Sequence, residues 1–158
     1  MRKNSFSLFI FSFSLTMMLF TISLYAEFIR DSSGVVVDTS TRLIWQDTYN
    51  DNSGEIKMAT WQDALIYCEE LSLGGSSDWR LPNINELFSI VDITKYDPTI
   101  SSVFIHNYSS HYYDEYWSST TYVFNSSHAW DVGFFSGYQK YDNKSNKNNV
   151  RCVRNYSK

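Results

Sequence analysis

Proline and cysteine are scarce in this chain, two of each in 158 residues, and glycine is little more frequent at six. So few glycines, with no Gly-X-Y register, exclude a collagen-like stalk. After residue 26 no apolar run is long enough to span a membrane. The three histidines, His106, His111 and His128, are scattered along the sequence. No nucleophile-elbow motif surrounds any serine, so Ser118, Ser119, His128 and Asp131 form a hydrolase triad on paper alone. His111 with Asp114 and Glu115 is the one cluster with the composition of a metal site, and a lone histidine beside carboxylates in a loop is ordinarily solvated. These absences predict no catalytic set, no metal and no cofactor. Calcium stays open through the oxygens of Asp92, Asp97, Asp114 and Glu115, without a motif to support it.

What is present begins with an export signal. Arg2 and Lys3 precede an apolar stretch from Leu8 to Leu24, followed by Ala26. This pattern reads as a signal peptide over residues 1–26, leaving one domain over residues 27–158. Leu24 stands where a small residue is usual before cleavage, so retention as an amino-terminal anchor stays open beside removal. Either way the domain is expected outside the cytoplasm, periplasmic or extracellular. In that compartment Cys68 and Cys152 are expected to form a disulfide, and a single intramolecular pairing exists. The closed loop of 84 residues corresponds to about 4 to 5 kcal/mol of stabilisation in the chain-entropy model.

Charge is divided along the chain. Residues 27–138 hold 16 acidic and 5 basic side chains, net −11, whereas residues 139–158 hold six basic ones against Asp142. Lys140, Lys144, Lys147 and Arg151 therefore read as a basic patch on an acidic domain. An exported acidic protein is a poor candidate for nucleic acid, and none is expected as a partner.

Hydrophobic patterning supplies the elements. Residues 35–37 and 43–45 read as strands joined by a polar turn. Thr60 caps a helix whose Trp61, Leu65, Cys68 and Leu71 share one face, ended by Gly74-Gly75. A second helix is predicted over residues 84–91. Residues 99–115 show no period and read as a long surface excursion. Strands follow at 116–120, at 129–135 with Trp130, Val132 and Phe134 on one face, at 138–141, and at 150–154 with Arg151 pointing away from Val150 and Cys152.

The run from Asp78 to Leu87 is the densest local signal. Pro82 restricts its own φ and pushes Leu81 to extended geometry, Asn83 is a helix cap, and Glu86 three residues on completes a capping box. Asp78, Trp79, Arg80, Pro82, Asn83 and Glu86 are read as structural, with Arg80 satisfying carbonyls or a carboxylate at the turn. Trp117 and Trp130 are read as core for the same reason that large aromatics usually are.

Taken in order, TRLIWQ, WQDALIYC, DWRLPNINELFSIVD, YWSST, AWDVGFFSG and VRCVR resemble the Lcl C-terminal domain family, named for the Legionella collagen-like adhesin. The resemblance covers residues 35–154. It implies an α+β fold like the C-type lectin domain, with two helices, antiparallel strands, long loops and one disulfide from the first helix to the last strand. More distantly, two blocks resemble the formylglycine-generating enzyme fold. The adhesin's collagen repeats are missing here, so its trimerisation and its sulfated-glycan ligand do not carry over. Trp130-Asp131 is followed by Val132, so the usual calcium-dependent sugar motif is also missing.

The resulting expectation is an exported, non-enzymatic, lectin-like binding or adhesion module for a carbohydrate or a protein ligand. The alternative is an envelope structural or assembly protein that binds a protein partner. Expected contacts are Tyr108, Tyr112, Tyr113 and Tyr116 in the excursion, with Lys140, Lys144, Lys147 and Arg151 in the basic tail. The 121–128 loop is a further expected contact surface.

Overall fold

The computed structural model describes residues 28–106 and 115–156. The segment read as a signal peptide lies outside them.

Two sheets carry the chain. Strands β1 (Phe28–Arg30), β2 (Val35–Asp38) and β3 (Leu43–Gln46) are joined by the last strand, β9 (Val153–Asn155), in an antiparallel sheet of order β1-β2-β3-β9. The second sheet has the order β4-β8-β5-β6-β7, from β4 (Met58–Ala59), β5 (Glu115–Thr121), β6 (His128–Gly133), β7 (Tyr138–Asn143) and β8 (Asn148–Asn149). Its pairings are antiparallel except β5 with β8. Helices α1 (Trp61–Glu70) and α2 (Ile84–Ser89) complete a mixed α+β domain. Among the described residues no helix is long and apolar enough to cross a membrane.

The period of two along each strand feeds two separate cores. Tyr116, Val132 and Phe134 join Val36, Trp45, Leu87, Ile90 and Val153 in one. Their neighbours Trp117, Ala129, Ile44 and Cys152 join Ala64, Cys68, Trp79 and Leu81 in the other. Strand β5 is thus buried on both faces, and each core has its own helix.

Local chemistry sets the helix starts. The Thr60 hydroxyl accepts from the Asp63 amide at 3.3 Å and donates to its carboxylate at 2.7 Å. At α2 the Glu86 amide donates to Asn83 Oδ1 and the Asn83 amide donates to Glu86 Oε2, both at 2.9 Å, which is the capping box read from the sequence. Arg80 adds two bonds to the Glu86 carboxylate at 2.7 and 2.8 Å. Burial opposes the charge on Glu86, but Arg80 and the Asn83 amide hold its carboxyl below the usual range.

The Asp78 to Leu87 run then docks on β5, since the Ser119 amide donates to the Pro82 carbonyl at 2.7 Å and the Ile84 amide to Thr120 Oγ1 at 3.0 Å. Trp79 is buried with its indole donating to the Leu73 carbonyl, and Asp78 stays exposed 3.7 Å from Arg154. Trp117 is buried, donating to the Ala59 carbonyl at 2.9 Å.

Cys68 and Cys152 are bonded, with Cα atoms 5.5 Å apart, tying α1 to the residue before β9. Several expectations need correction, among them the last strand, which begins at Val153 rather than Val150 and leaves Cys152 outside it. Gly74-Gly75 does not end α1, which stops at Glu70; the pair, both at positive φ, makes a tight turn between Leu73 and Ser76, a conformation that suits glycine. The second helix is shorter than expected and stops at Ser89. Residues 99–106 are no surface excursion, because Ile100 and Phe104 are core residues. This segment is held by Arg30 donating to the Val103 carbonyl and by Arg151 donating to the Ile105 carbonyl, each at 2.6 Å in its shorter bond.

Candidate functional site

The expected contact residues divide into three groups. Tyr108, Tyr112 and Tyr113 lie outside the described residues. Tyr116 and Arg151 are corrections: both are fully buried. Tyr116 packs edge-on against Phe134 in the core. Arg151 does point away from Cys152, although both lie ahead of β9, and the side it takes is interior as well. Its guanidinium pairs with Asp47 at 2.7 Å, donates to the Gln46 carbonyl at 3.1 Å and lies over the Phe104 ring. Arg30 pairs with the other Asp47 oxygen, so the carboxylate sits between two guanidinium groups. A buried ion set of this kind orders the fold rather than meeting a ligand.

The three lysines do not form a patch. Lys140 pairs with Glu115 at 2.7 Å. Lys144 lies 3.8 Å from the centre of the Trp61 ring and donates to Thr121 Oγ1. Lys147 is exposed at the turn before β8. A sequence tally of positive charge overlooked that two of the three are engaged across the sheet.

What the structure presents instead is an aromatic surface at the open end of the β6–β7 hairpin. Trp130 and Tyr141 are directly opposite in register. The Tyr141 ring stacks on Tyr122 with centroids 4.0 Å apart and planes 6° from parallel. Trp130 meets Tyr122 edge-on at 5.4 Å, and Phe124 meets Tyr122 at 5.6 Å. His128 closes the far side, 5.8 Å from Tyr141. Trp130 was expected in the core; it is half-buried here, because the face that is covered at Val132 is open two residues earlier.

The turn over residues 122–128 holds these rings in place. The Tyr122 amide donates to the His128 carbonyl at 2.9 Å, and the Asn125 side chain accepts from the Ser127 amide and hydroxyl. The Lys144 amide donates to the Ser127 carbonyl and anchors the turn to the end of β7. At its tip Val123 and Phe124 are 81 and 84 % exposed. Exposed aromatic rings on a fixed backbone offer large contact area at little ordering cost.

The opposite face of the same hairpin is polar. Asp131, opposite Lys140 in register, lines an open cleft of about 670 Å³ with Met58, Glu115, Lys140, Tyr141, Asp142, Asn146, Lys147 and Asn148. Asp131 is 1 % exposed and neither carboxylate oxygen has a hydrogen-bond partner. Burial pushes its carboxyl up to about 7, the Glu115 and Asp142 carboxylates add to the rise, and Lys140 opposes it. Among the described residues no three His, Cys, Asp or Glu side chains converge as a metal-holding group. Asp92, one of the open calcium donors, instead accepts from Thr94 and pairs with Lys95.

The paper triad is not assembled. Ser118 donates to the Trp130 carbonyl, and His128 lies on the hairpin face opposite to Asp131. No sequence signal marked the cleft, because alternation with Trp130, Val132 and Phe134 assigns Asp131 to the outer face; the aromatic surface had the weak signal of Tyr122 and Tyr141 flanking two turns.

Together these features define a disulfide-stapled α+β domain that presents a bare aromatic surface and an acidic cleft on one hairpin. The family model of the Lcl C-terminal domain matches residues 34–154, and the chain belongs to that family. Membership makes it an adhesin-related module. No curated protein matches the sequence.

Proposed function

We propose that this chain is an exported, non-enzymatic adhesion module that holds a carbohydrate on the Tyr122, Trp130 and Tyr141 surface. The observation that carries the reading is the stacked Tyr122–Tyr141 pair with Trp130 at its edge. A sugar ring has an apolar C–H face and a polar rim, which matches flat rings edged by a phenol hydroxyl and an indole N–H. Family membership and the disulfide support export, to the periplasm or the cell exterior.

The exposed Val123 and Phe124 tip favours a second reading, in which the same surface docks an envelope protein and the chain serves assembly. A glycan array at low and physiological salt, with and without calcium, separates the two. The carbohydrate reading expects binding to one glycan class that is insensitive to salt, because the surface is uncharged, and that falls at least tenfold in Tyr122→Ala and Tyr141→Ala. A negative array combined with a stable partner from envelope extract would move the assignment to the protein-binding reading.

A further inference from the structure

We propose that the cleft on the opposite face of the hairpin is a second binding site, selective for a sugar carrying a free amino group. Two buried residues line it with unsatisfied polar atoms of opposite kind. Asp131 offers two carboxylate oxygens without partners, and Asn148, 8 % exposed, offers an Nδ2 without an acceptor. A buried polar atom left unpaired is costly, and one that faces a cleft can recover that cost from a ligand.

Charge decides which ligand. Lys140 is paired with Glu115, Lys147 is exposed along the same cleft, and Asp142 Oδ1 accepts from the Asn143 amide and the Asn146 side chain, which leaves Asp131 as the carboxylate without a hydrogen bond. A primary ammonium supplies up to three donors and a compensating charge at that point. A divalent ion would need several converging oxygens, and these carboxylates do not converge. Asn148, lining the same cleft, needs an acceptor on the same ligand. In a 2-amino sugar the vicinal hydroxyl stands one carbon away; a lysine side chain has four methylenes and no acceptor there.

The ligand class rests on the carbohydrate reading above, while the site is distinct, since Trp130 points to one face of β6 and Asp131 to the other, with Tyr141 bordering both. The test is an NMR-monitored titration of the purified, oxidised protein near neutral pH with a glucosamine tetramer. Its fully N-acetylated counterpart, calcium chloride and a blocked lysine tripeptide are run in parallel. The expected result is a set of shifts at Asp131 and Asn148 with the glucosamine tetramer, at least tenfold weaker binding of the acetylated tetramer, and at least tenfold loss in Asp131→Asn. Equal affinity for the acetylated tetramer, no effect of Asp131→Asn, or a match by calcium or the lysine peptide overturns the proposal. Tyr122→Ala separates the two surfaces. If it leaves glucosamine binding intact, the cleft stands whatever the fate of the aromatic reading; if it abolishes binding that Asp131→Asn spares, the cleft is excluded and the aromatic reading survives.

Discussion

Asp131→Asn should stabilise this domain, and by an amount that depends on pH in one direction. In the unfolded chain the carboxyl ionises near its ordinary value of 3.8, whereas in the folded domain burial and the Glu115 and Asp142 carboxylates raise it to about 7. Between those values the folded state holds a proton that the unfolded state has released. Stability from this group therefore falls as pH rises from about 4 to about 7 and is level above that. A difference of about three pKa units corresponds to roughly 4 kcal/mol, a large share of the stability of a small domain. Asparagine keeps the shape and removes the charge. The variant and the parent should be close to equal near pH 4, and should diverge in favour of the variant to a few kcal/mol by pH 8. Urea denaturation of both proteins across that range, with the disulfide intact, reads the difference, in which the other carboxyl groups cancel. A difference that is constant with pH, or one that grows towards acid, would refute the raised carboxyl and with it the view that Asp131 is uncompensated.

Two further outcomes follow from the interior. Removing the disulfide in a Cys68→Ala, Cys152→Ala double variant should cost about 4 to 5 kcal/mol in urea denaturation, because the bond closes an 84-residue loop; a loss under about 1 kcal/mol would mean that the unfolded chain is already compact. Arg151→Ala should cost about 3 to 5 kcal/mol, since it strips a fully buried Asp47 of one of its two cations, and Arg151→Met should recover part of that loss in the same assay by refilling the space over Phe104.

The helices and the longer strands were legible because their signals are local. Thr60 with Asp63 and Asn83 with Glu86 fix helix starts within four residues. Alternation of Trp130, Val132 and Phe134 gives β6 without reference to any partner. Strands β4 and β8 were not legible: each has two residues, and they exist because Met58 pairs with Asn149 and Ala59 with Asn148, far apart in sequence, and because β8 also meets β5. The burial of Ile100 and Phe104 was hidden for the same reason, since Arg30 and Arg151 draw in a segment that has no period of its own. The expected strand over 150–154 starts only at Val153, and although Arg151 and Cys152 do part to opposite sides, the sequence carried no information on whether the Arg151 side was covered. At Arg151 the far face is interior, and at Trp130 the face expected to be interior is open.

The contrast between Asp47 and Asp131 is the strongest reason to place binding on the hairpin. Both are aspartates with almost no exposure. Asp47 sits between two guanidinium groups and also accepts from the Ile105 amide, so its burial is resolved within the fold. Asp38 is resolved likewise by Ser40 and Thr41. Asp131 has neither cation nor donor bonded to it, although Lys140 stands opposite in register and is committed to Glu115. A neutral side chain at this position would make a more stable domain on the argument above, so the carboxylate is a cost carried by the strand whose other face bears Trp130. Stability alone gives no reason for a charge there, whereas the cationic donor proposed for the cleft supplies one.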